Sequence, residues 1–412
     1  MVKPRGRRRW LAAAGLGVAA LGLWRTWPEQ GLINPCLGPL PVELARLSLL
    51  EEAWAGLDPQ QVWDTHAHIF TLQAAGDESR GILRAPLAAA QRYFFRNAAC
   101  VGGEEAAETD EAASYVTHLR QAIAALPAGV KVLLLALDAW HDERGAVHPE
   151  LTHVQVADDY CAAVAAALPS RFELAASVHP YRGDAVAAIE RAKAAGARAL
   201  KWIPSAQGID PASPRCDPVY RTLARLELPL ISHAGDERAA PGDDAMGNPL
   251  RLRRALEQGV RVIVAHCATL GASSDSDAGA HAAPLDNFSL FARLMAERQY
   301  EGRLFGDLAA ITQSARAGPA LATIVRRGRE GGDWATRLVN GSDYPLPGIM
   351  PLYSLQRLVE LQLLAPSAVD PLSAIRRHNP LLFDFALKRA LRVDGRGLAA
   401  SVFETRRVFL PT

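Results

Sequence analysis

The sequence of 412 residues is poor in cysteine and has no excess of charge of either sign. Its five cysteines include no CxxC pair, which argues against a structural zinc site and against a dense disulfide framework. The odd number leaves at least one thiol free or bonded to another molecule. Lysine and arginine number 45 against 44 aspartate and glutamate residues, so no net field attracts polyanions, and nucleic acid is not an expected partner. The cysteines are Cys36, Cys100, Cys161, Cys216 and Cys267.

The first thirty residues differ in composition from the rest of the chain. Five basic residues between positions 3 and 9 precede an apolar stretch at 10–24, the order of an export signal. No small-residue cleavage site follows, because Arg25-Thr26-Trp27-Pro28 stands there. We therefore expect residues 1–30 to be an uncleaved membrane anchor, with the remaining chain outside the cytoplasm, in the periplasm of a bacterium. The apolar stretch is shorter than the roughly 17 to 25 residues of a comfortable span, so export followed by cleavage is the alternative.

Eight short apolar or β-rich runs recur through the rest of the chain, and stretches of helical periodicity, such as 184–195 and 288–298, separate most of them. Continuous apolar runs are typical of parallel strands that are buried on both faces. Eight alternating strands and helices favour a (β/α)8 TIM barrel over a doubly wound sheet, which usually has about five to seven strands. The runs are 62–63, 132–137, 174–178, 198–203, 228–232, 260–265, 304–308 and 338–340.

The remaining segments complete an α/β domain organisation around a barrel at 61–390. Residues 31–60 contain a predicted helix, at 41–57, and a linker. The loop between the first two strands, 69–129, is the longest, and its two predicted helices, at 86–99 and 112–125, make it a helical insertion that should cap the barrel mouth. The polar stretch 271–283 is interpreted as a mobile, solvated loop over the same face. Residues 391–412 form a tail to which the sequence assigns no role.

Histidine and aspartate residues stand at the ends of several predicted strands. His66 and His68 close the first strand, and residues two apart in an extended chain point to the same side. His233 ends the fifth strand, His266 the sixth and Asp343 the eighth. Barrel enzymes assemble their sites at this C-terminal face, so we expect the five side chains to meet around a metal ion. The alternative is a chance grouping of hydrogen-bonded core histidines.

These residue types suit a divalent metal ion, with zinc as the first expectation and manganese or iron as alternatives. An incomplete ligand set leaves a coordination position for water, whose pKa the metal lowers, and Asp343 is then placed to take its proton. Lys201 lies near the end of the fourth strand. It is interpreted either as a carboxylated lysine that bridges two ions or as a lysine that pairs with a nearby carboxylate or simply lines the mouth, so the number of ions, one or two, stays open.

Two further groups of polar residues follow strands. His179 and Arg182 come after the third strand and are candidates for binding a substrate carboxylate, although a purely structural histidine is an equal alternative. Asp236, Glu237 and Arg238 follow His233 closely, and we interpret them as solvated loop charges.

The motifs His66-x-His68, His233, His266 and Gly341-Ser342-Asp343-Tyr344-Pro345, in that order, resemble the amidohydrolase superfamily. The likeness covers 62–388 and is greater to the amidohydrolase-related branch, which includes decarboxylases similar to aminocarboxymuconate-semialdehyde decarboxylase. It implies that His66, His68, His233 and Asp343 bind metal and that His266 acts on the water or the substrate in members with one ion. Lys201 looks like the bridging position of members with two ions.

The sequence therefore predicts a metal-dependent hydrolase of the amidohydrolase type, in which activated water attacks a carbonyl-type carbon of a small molecule. Nonoxidative decarboxylation at the same metal site is the second hypothesis. The third is an inert barrel that acts as a membrane-tethered binding protein. Fold alone does not decide among them or identify the substrate.

Overall fold

The computed structural model of the chain describes residues 29–69, 87–101, 111–279 and 283–410, without the side chains of residues 87–92. Eight parallel strands pair in chain order within one sheet, which confirms the eight predicted runs. β1 is longer than its predicted run and the other strands are shorter than or shifted slightly from theirs, because the ends of strands are set by the ladder rather than by hydrophobicity. The strands are β1 Trp63–His68, β2 Lys131–Leu135, β3 Phe172–Ala176, β4 Ala199–Trp202, β5 Leu230–His233, β6 Val262–Ala265, β7 Leu304–Asp307 and β8 Leu338–Val339.

The segment after β8 brings the last strand of the sheet back to the first. Thr65 N donates to Asn340 O at 3.0 Å, and His68 N donates to Tyr344 O at 2.9 Å. A parallel bridge joins Ala67 to Tyr344 in the same register. The eight strands therefore form a nearly closed barrel, as the predicted TIM barrel requires.

The alternation of side chains in β2 shows how the barrel is packed. Leu133 and Leu135 lie inside the barrel in a cluster that also contains Ile231 and Ile263. Val132 and Leu134 belong instead to the large core outside the strands. Both faces of the strand are thus buried, which explains why the run reads as continuously apolar.

Helices surround the barrel and confirm most of the predicted helical segments. The predicted helix at 41–57 is divided in two, because Leu47 has an extended conformation between α1 and α2. The α-helices are α1 Val42–Ala45, α2 Ser48–Trp54, α3 Leu87–Ala98, α4 Glu111–Ala124, α5 Asp158–Ala167, α6 Ala185–Ala194, α7 Pro204–Gln207, α8 Asp217–Arg225, α9 Arg253–Glu257, α10 Asn287–Ala296, α11 Pro319–Gly328, α12 Leu355–Glu360, α13 Val369–His378, α14 Pro380–Ala390 and α15 Arg406–Phe409.

The described part of the segment 391–412, to which the sequence assigns no role, closes the floor of the barrel. Val408 and Phe409 belong to the same apolar cluster as the side chains inside the strands. Phe409 stacks on Trp63 with 5.8 Å between ring centroids. Thr405 Oγ1 donates to Trp63 O at 2.7 Å and accepts from Trp63 N at 3.2 Å. The segment is therefore part of the barrel core.

The described parts of the insertion after β1 lie beside the carboxyl end of that strand. Tyr115 in α4 donates from its hydroxyl group to His68 O at 2.8 Å. A disulfide, which the sequence did not predict, joins Cys36 to Cys100 just after α3. The expected free thiols are found, buried, at Cys161, Cys216 and Cys267. Residues 70–86 and 102–110 of the insertion lie outside the described residues.

The acidic stretch after β6 is not simply solvated. Asp275 is buried and accepts from Arg293 Nη1 and Nη2 at 2.7 and 2.6 Å, and Asp277 accepts from Arg253 Nη2 at 2.7 Å. The interpretation as a solvated loop is wrong for Asp275, because Arg293 in the following helix α10 supplies its counter-charge. Residues 280–282 lie outside the described part.

The predicted anchor at 1–30 lies outside the described residues up to position 28. Among the residues that are described, the structure contains no helix with the length and apolar character needed to cross a membrane.

Candidate active site

His66, His68 and Asp343 converge at the carboxyl end of the barrel. The two Nε2 atoms are 3.2 Å apart, and Asp343 Oδ1 lies 3.6 Å from His66 Nε2 and 3.5 Å from His68 Nε2. All three side chains are buried or nearly so. Because β1 and the segment after β8 are hydrogen-bonded neighbours, residues nearly 280 positions apart in the chain are held in one cluster, which could hold a metal ion.

The other three predicted ligands lie in the same place. Lys201 Nζ is 3.4 Å from His66 Nε2, and His266 Nε2 is 3.9 Å from Asp343 Oδ2. The rings of His233 and His266 are 5.2 Å apart, the same distance as those of His66 and His266. The structure therefore brings together all six residues that the sequence selected as metal ligands.

Two of these residues have a backbone conformation that residues other than glycine seldom adopt. His266 has φ of 57° and Asp343 has φ of 61°, both in the left-handed region. Such conformations cost of order 1 kcal/mol each and persist where the surrounding structure over-determines them, which is common at functional sites. Here they turn the chain sharply at the ends of β6 and β8 and direct both side chains toward the barrel axis.

The segment that carries Asp343 is fixed by buried polar contacts on both sides. Asp64 Oδ1 accepts from Ser342 N at 2.8 Å, and Lys388 Nζ donates to Gly341 O at 2.5 Å. Lys388 is also paired with Asp384 at 2.6 Å, and the two side chains are 0% and 1% exposed. At Gly341 a Cβ would lie 2.6 Å from His66 Cβ, so only glycine lets the segment pass this close to β1.

Asp307, at the end of β7, is a functional residue that the sequence reasoning missed. Its Oδ2 lies 2.6 Å from His66 Nδ1, and its Oδ1 accepts from Ala309 N at 2.8 Å. A hydrogen bond from Nδ1 to this carboxylate leaves the lone pair of His66 Nε2 facing the cluster. His266 is oriented in the same way, because its Nδ1 lies 2.8 Å from Ala309 O. The signal that could have found Asp307 is its position as an acidic residue one place before the end of the predicted run 304–308.

Glu237 corrects the interpretation of the loop after β5. Its Oε2 lies 3.3 Å from His233 Nε2, and burial raises the pKa of its carboxyl group. The loop folds back over β5, so Glu237 is a partner of His233 rather than a solvated charge. Within the described residues His233 Nδ1 has no hydrogen-bond partner, which leaves a ligand atom available.

Arg316 is a second residue that the sequence did not indicate. Its side chain is buried and donates from Nη1 to Thr269 Oγ1 at 3.0 Å, while its Nε has no hydrogen-bond partner among the described residues. Burial lowers the pKa of Arg316, and the charges of Asp343 and Glu237 oppose that effect. No motif or strand end marks this position, since Arg316 follows a turn beyond β7.

Burial keeps the imidazoles of the cluster neutral. It lowers the pKa of His68 to about 3 and the pKa of His66, His233 and His266 well below the ordinary value. It raises the pKa of Asp343 and, to about 7, that of Asp307. Neutral imidazole is the form that binds metal, and a cation in the cluster would favour the ionised form of both carboxyl groups. The donor set therefore fits a divalent ion.

Burial also affects Lys201. The pKa of its amine is lowered by desolvation, while the charges of Asp343 and Asp307 act in the opposite direction. A buried amine with a lowered pKa is more often neutral and nucleophilic than an exposed lysine. This is the state required for reaction with carbon dioxide, and the same position also suits a lysine that pairs with Asp343.

His179 and Arg182 lie outside this cluster of contacts. The ring of His179 contacts Gln207 O through Nε2 at 2.9 Å and accepts from Tyr181 N through Nδ1 at 3.2 Å. Arg182 donates from Nη1 to Asp138 Oδ2 at 2.9 Å, and its Nε donates to Asp184. Both side chains thus form hydrogen bonds with other protein groups. The assignment of His179 and Arg182 to substrate binding stays a prediction.

No family model matches the chain, and no curated protein matches it. Solved structures do match. An uncharacterised TIM-barrel protein of Bordetella bronchiseptica is 15% identical, with 75% of this chain and 95% of that chain covered and a TM-score of 0.47. A probable 2-pyrone-4,6-dicarboxylic acid hydrolase of Acinetobacter baumannii is 15% identical, with 73% and 90% covered and a TM-score of 0.41.

A third solved structure is a 5-carboxyvanillate decarboxylase of Novosphingobium aromaticivorans with bound manganese. It is 13% identical, with 77% of this chain and 94% of that chain covered and a TM-score of 0.39. Two further solved structures that match are named as amidohydrolases, and one of them is a putative amidohydrolase of Staphylococcus aureus.

Proposed function

We propose that the protein is a metal-dependent hydrolase in which water attacks a carbonyl-type carbon of a small molecule. His66, His68 and Asp343 hold a divalent ion, with zinc as the first expectation. His233, Lys201 and His266 complete the site, either as further ligands or, for His266, as a group that acts on water and substrate. A carboxylated Lys201 would supply oxygen ligands for a second ion.

One observation carries this proposal, the mutual spacing of the three donor atoms. Ligand atoms about 2.1 Å from one ion, at angles of about 90 to 110°, lie roughly 3.0 to 3.4 Å apart. Here the separations are 3.2, 3.5 and 3.6 Å, one within that range and two just above it. With its Nδ1 bonded to Asp307, His66 presents a lone pair at Nε2, and a cation among the three atoms accounts for their approach.

The roles of the residues follow from their contacts. Asp307 and Ala309 O orient His66 and His266 through Nδ1, so each Nε2 faces the cluster. A bound divalent ion would supply a water of lowered pKa and polarise the substrate carbonyl group. Asp343 accepts the proton of the attacking water, because its Oδ2 remains on the side toward His266 while Oδ1 faces His66 and His68. Glu237 orients the His233 ring through its contact with Nε2.

Nonoxidative decarboxylation is the second candidate, and the position of Arg316 favours it. Among the described residues, the Nε atom of this buried guanidinium group has no hydrogen-bond partner, and the group lies near Asp343 and Glu237. A guanidinium group binds a carboxylate through paired hydrogen bonds, so Arg316 would orient a substrate acid group over the metal site. A hydrolase whose substrate carries a carboxylate would use the same residue.

The experiment that tests the proposal combines metal removal with product analysis. We expect the purified protein to contain at least one divalent ion per chain by mass spectrometry of the metals. Dialysis against a chelator should abolish turnover of a panel of esters, amides and lactones with and without carboxylate groups, and zinc or manganese should restore it. In ¹⁸O-labelled water a hydrolase incorporates one labelled oxygen atom into the product.

Two outcomes would contradict this proposal. Release of carbon dioxide without incorporation of ¹⁸O would assign the site to the decarboxylase. Protein that contains no metal although no chelator was used, and that is inactive on both classes of substrate, would favour the inert binding barrel.

We further propose that the domain lies outside the cytoplasm and is attached to the membrane through residues 1–30. The Cys36–Cys100 disulfide supports this location, since such bonds persist mainly in oxidising compartments. Alkaline carbonate washing should leave the protein in the membrane pellet. Quantitative release would indicate cleavage after export, and free thiols at both cysteines in protein alkylated at lysis would contradict an oxidising location.

A further inference from the structure

A cavity of 810 Å³ lies at the face of the barrel opposite the metal-ligand cluster. Its walls are formed by residues directly before β6, β7 and β8, by the ends of α10 and α11, and by α15. The cluster, in contrast, lies at the carboxyl ends of the strands. Among the described residues, Glu301 and Asp333 are the acidic residues of this wall, against five arginines. The arginines are Arg261, Arg298, Arg327, Arg337 and Arg407.

Within the described part of the chain, four of these five arginines form no ion pair. Arg327 is paired with Asp333. Arg261, Arg337 and Arg407 instead donate to main-chain carbonyl oxygens, at distances of 2.6 to 3.2 Å. Within the residues that the structure describes, none of these three guanidinium groups forms an ion pair. Their geometry is therefore fixed by the backbone, and the neighbouring carboxylates of Glu227, Glu301 and Glu404 act on their charge without forming an ion pair.

Arg337 shows this most clearly. The residue is buried, with 7% relative exposure, and its Nη2 has no hydrogen-bond partner among the described residues. Burial lowers the pKa of Arg261, Arg337 and Arg407, which reflects the free energy required to hold three cations in this environment. An anion in the cavity would offset that cost.

We propose that this cavity binds a phosphate group carried by a small molecule. A guanidinium fork matches the oxygen geometry of phosphate, and arginine is more weakly hydrated than lysine, so several arginines around one cavity are typical of oxyanion recognition. The excess of three positive charges suits a dianion better than a single carboxylate. The volume lies within the range of roughly 300 to 1,000 Å³ found for small-molecule sites.

Binding at this cavity has a structural consequence. Arg407 belongs to α15, and Arg261 Nη1 donates to Val408 O at 2.6 Å. The ligand would therefore link α15 to the segments before β6 and β8 and stabilise the floor of the barrel against opening. The proposal does not depend on the reaction catalysed at the other face.

The test uses inorganic phosphate as the probe, titrated into the full chain by calorimetry and compared with chloride at the same ionic strength. We expect saturable binding and a rise in Tm with phosphate concentration. Arg298→Gln should weaken binding about tenfold, because a charge-assisted hydrogen bond contributes roughly this much. Arg298 is exposed, so this variant should fold normally, and Arg221→Gln, an exposed change in α8, is the matched control.

Two further binding measurements locate the site and identify the source of the phosphate group. His66→Ala should bind phosphate as the unaltered protein does, because His66 lies at the other face. Phosphatidylglycerol vesicles test for a lipid headgroup, and Arg298-dependent binding to vesicles that exceeds binding of free phosphate would assign that source. Absence of binding to both probes, equal binding by Arg298→Gln and Arg221→Gln, or loss of binding in His66→Ala would overturn the proposal.

Discussion

Replacement of Asp343 by asparagine is expected to lower kcat by about 10² to 10⁴-fold, the usual contribution of a general base. The amide keeps the size of the side chain but neither accepts a proton nor supplies an anionic ligand. The fold should persist, because asparagine tolerates the left-handed conformation that Asp343 adopts with φ of 61°. Removal of a buried carboxyl group whose pKa is raised by burial should not reduce the free energy of unfolding.

The measurement pairs steady-state kinetics with metal content and urea unfolding of the same preparation. Asp394→Asn is the matched control, since the Asp394 side chain is 68% exposed and lies far from the cluster in sequence. A cobalt-substituted sample adds a readout of coordination, because loss of a carboxylate ligand should change its visible spectrum. Retention of full activity by Asp343→Asn would remove Asp343 from the mechanism.

Substitution of Lys388 by methionine is expected to reduce the free energy of unfolding by about 3 to 5 kcal/mol, the cost of leaving one member of a buried ion pair without its partner. Asp384 would keep its desolvated carboxyl group, whose pKa burial already raises to about 7. Gly341 O would lose the donor that lies 2.5 Å away. Because that carbonyl precedes Asp343 by two residues, we also expect kcat to fall.

Urea denaturation of four proteins checks this prediction: the unaltered chain, Lys388→Met, Asp384→Leu and the double variant. The double variant should lose less stability than Lys388→Met alone, because it removes both charges together. Lys193→Met, an exposed change in α6, controls for the loss of a lysine. Equal destabilisation of the single and double variants would mean that packing, rather than the charge pair, holds the segment after β8.

The residues that could be predicted from sequence are those whose position in a regular pattern has one structural meaning. His66 and His68 are two residues apart, which places both on one side of an extended strand. His233, His266 and Asp343 each end an apolar run, and the carboxyl ends of barrel strands meet at one face. The two-residue spacing in a strand and the shared face of the strand ends are therefore sufficient to predict the five histidine and aspartate residues of the cluster.

Other residues were missed because their role depends on where distant chain segments pass. Asp307 lies within the predicted run 304–308, yet nothing local shows that it faces His66. Glu237 was interpreted as solvated, since burial of a loop residue follows from the path of the loop and not from its composition. Arg316 stands in an irregular segment with no periodicity. The pairing of Cys36 with Cys100 required the same long-range information.

The closure of the barrel floor by α15 has a consequence for the order of folding. Trp63 lies in β1 and its hydrogen-bond partner Thr405 is 342 positions further along the chain. The interior cannot be sealed from water until residues 405–409 have been synthesised, so a nascent chain would carry an open barrel with exposed apolar side chains for most of translation. Contacts of such high sequence separation slow folding, and chaperones that shield apolar surface should matter most for this protein before that segment emerges.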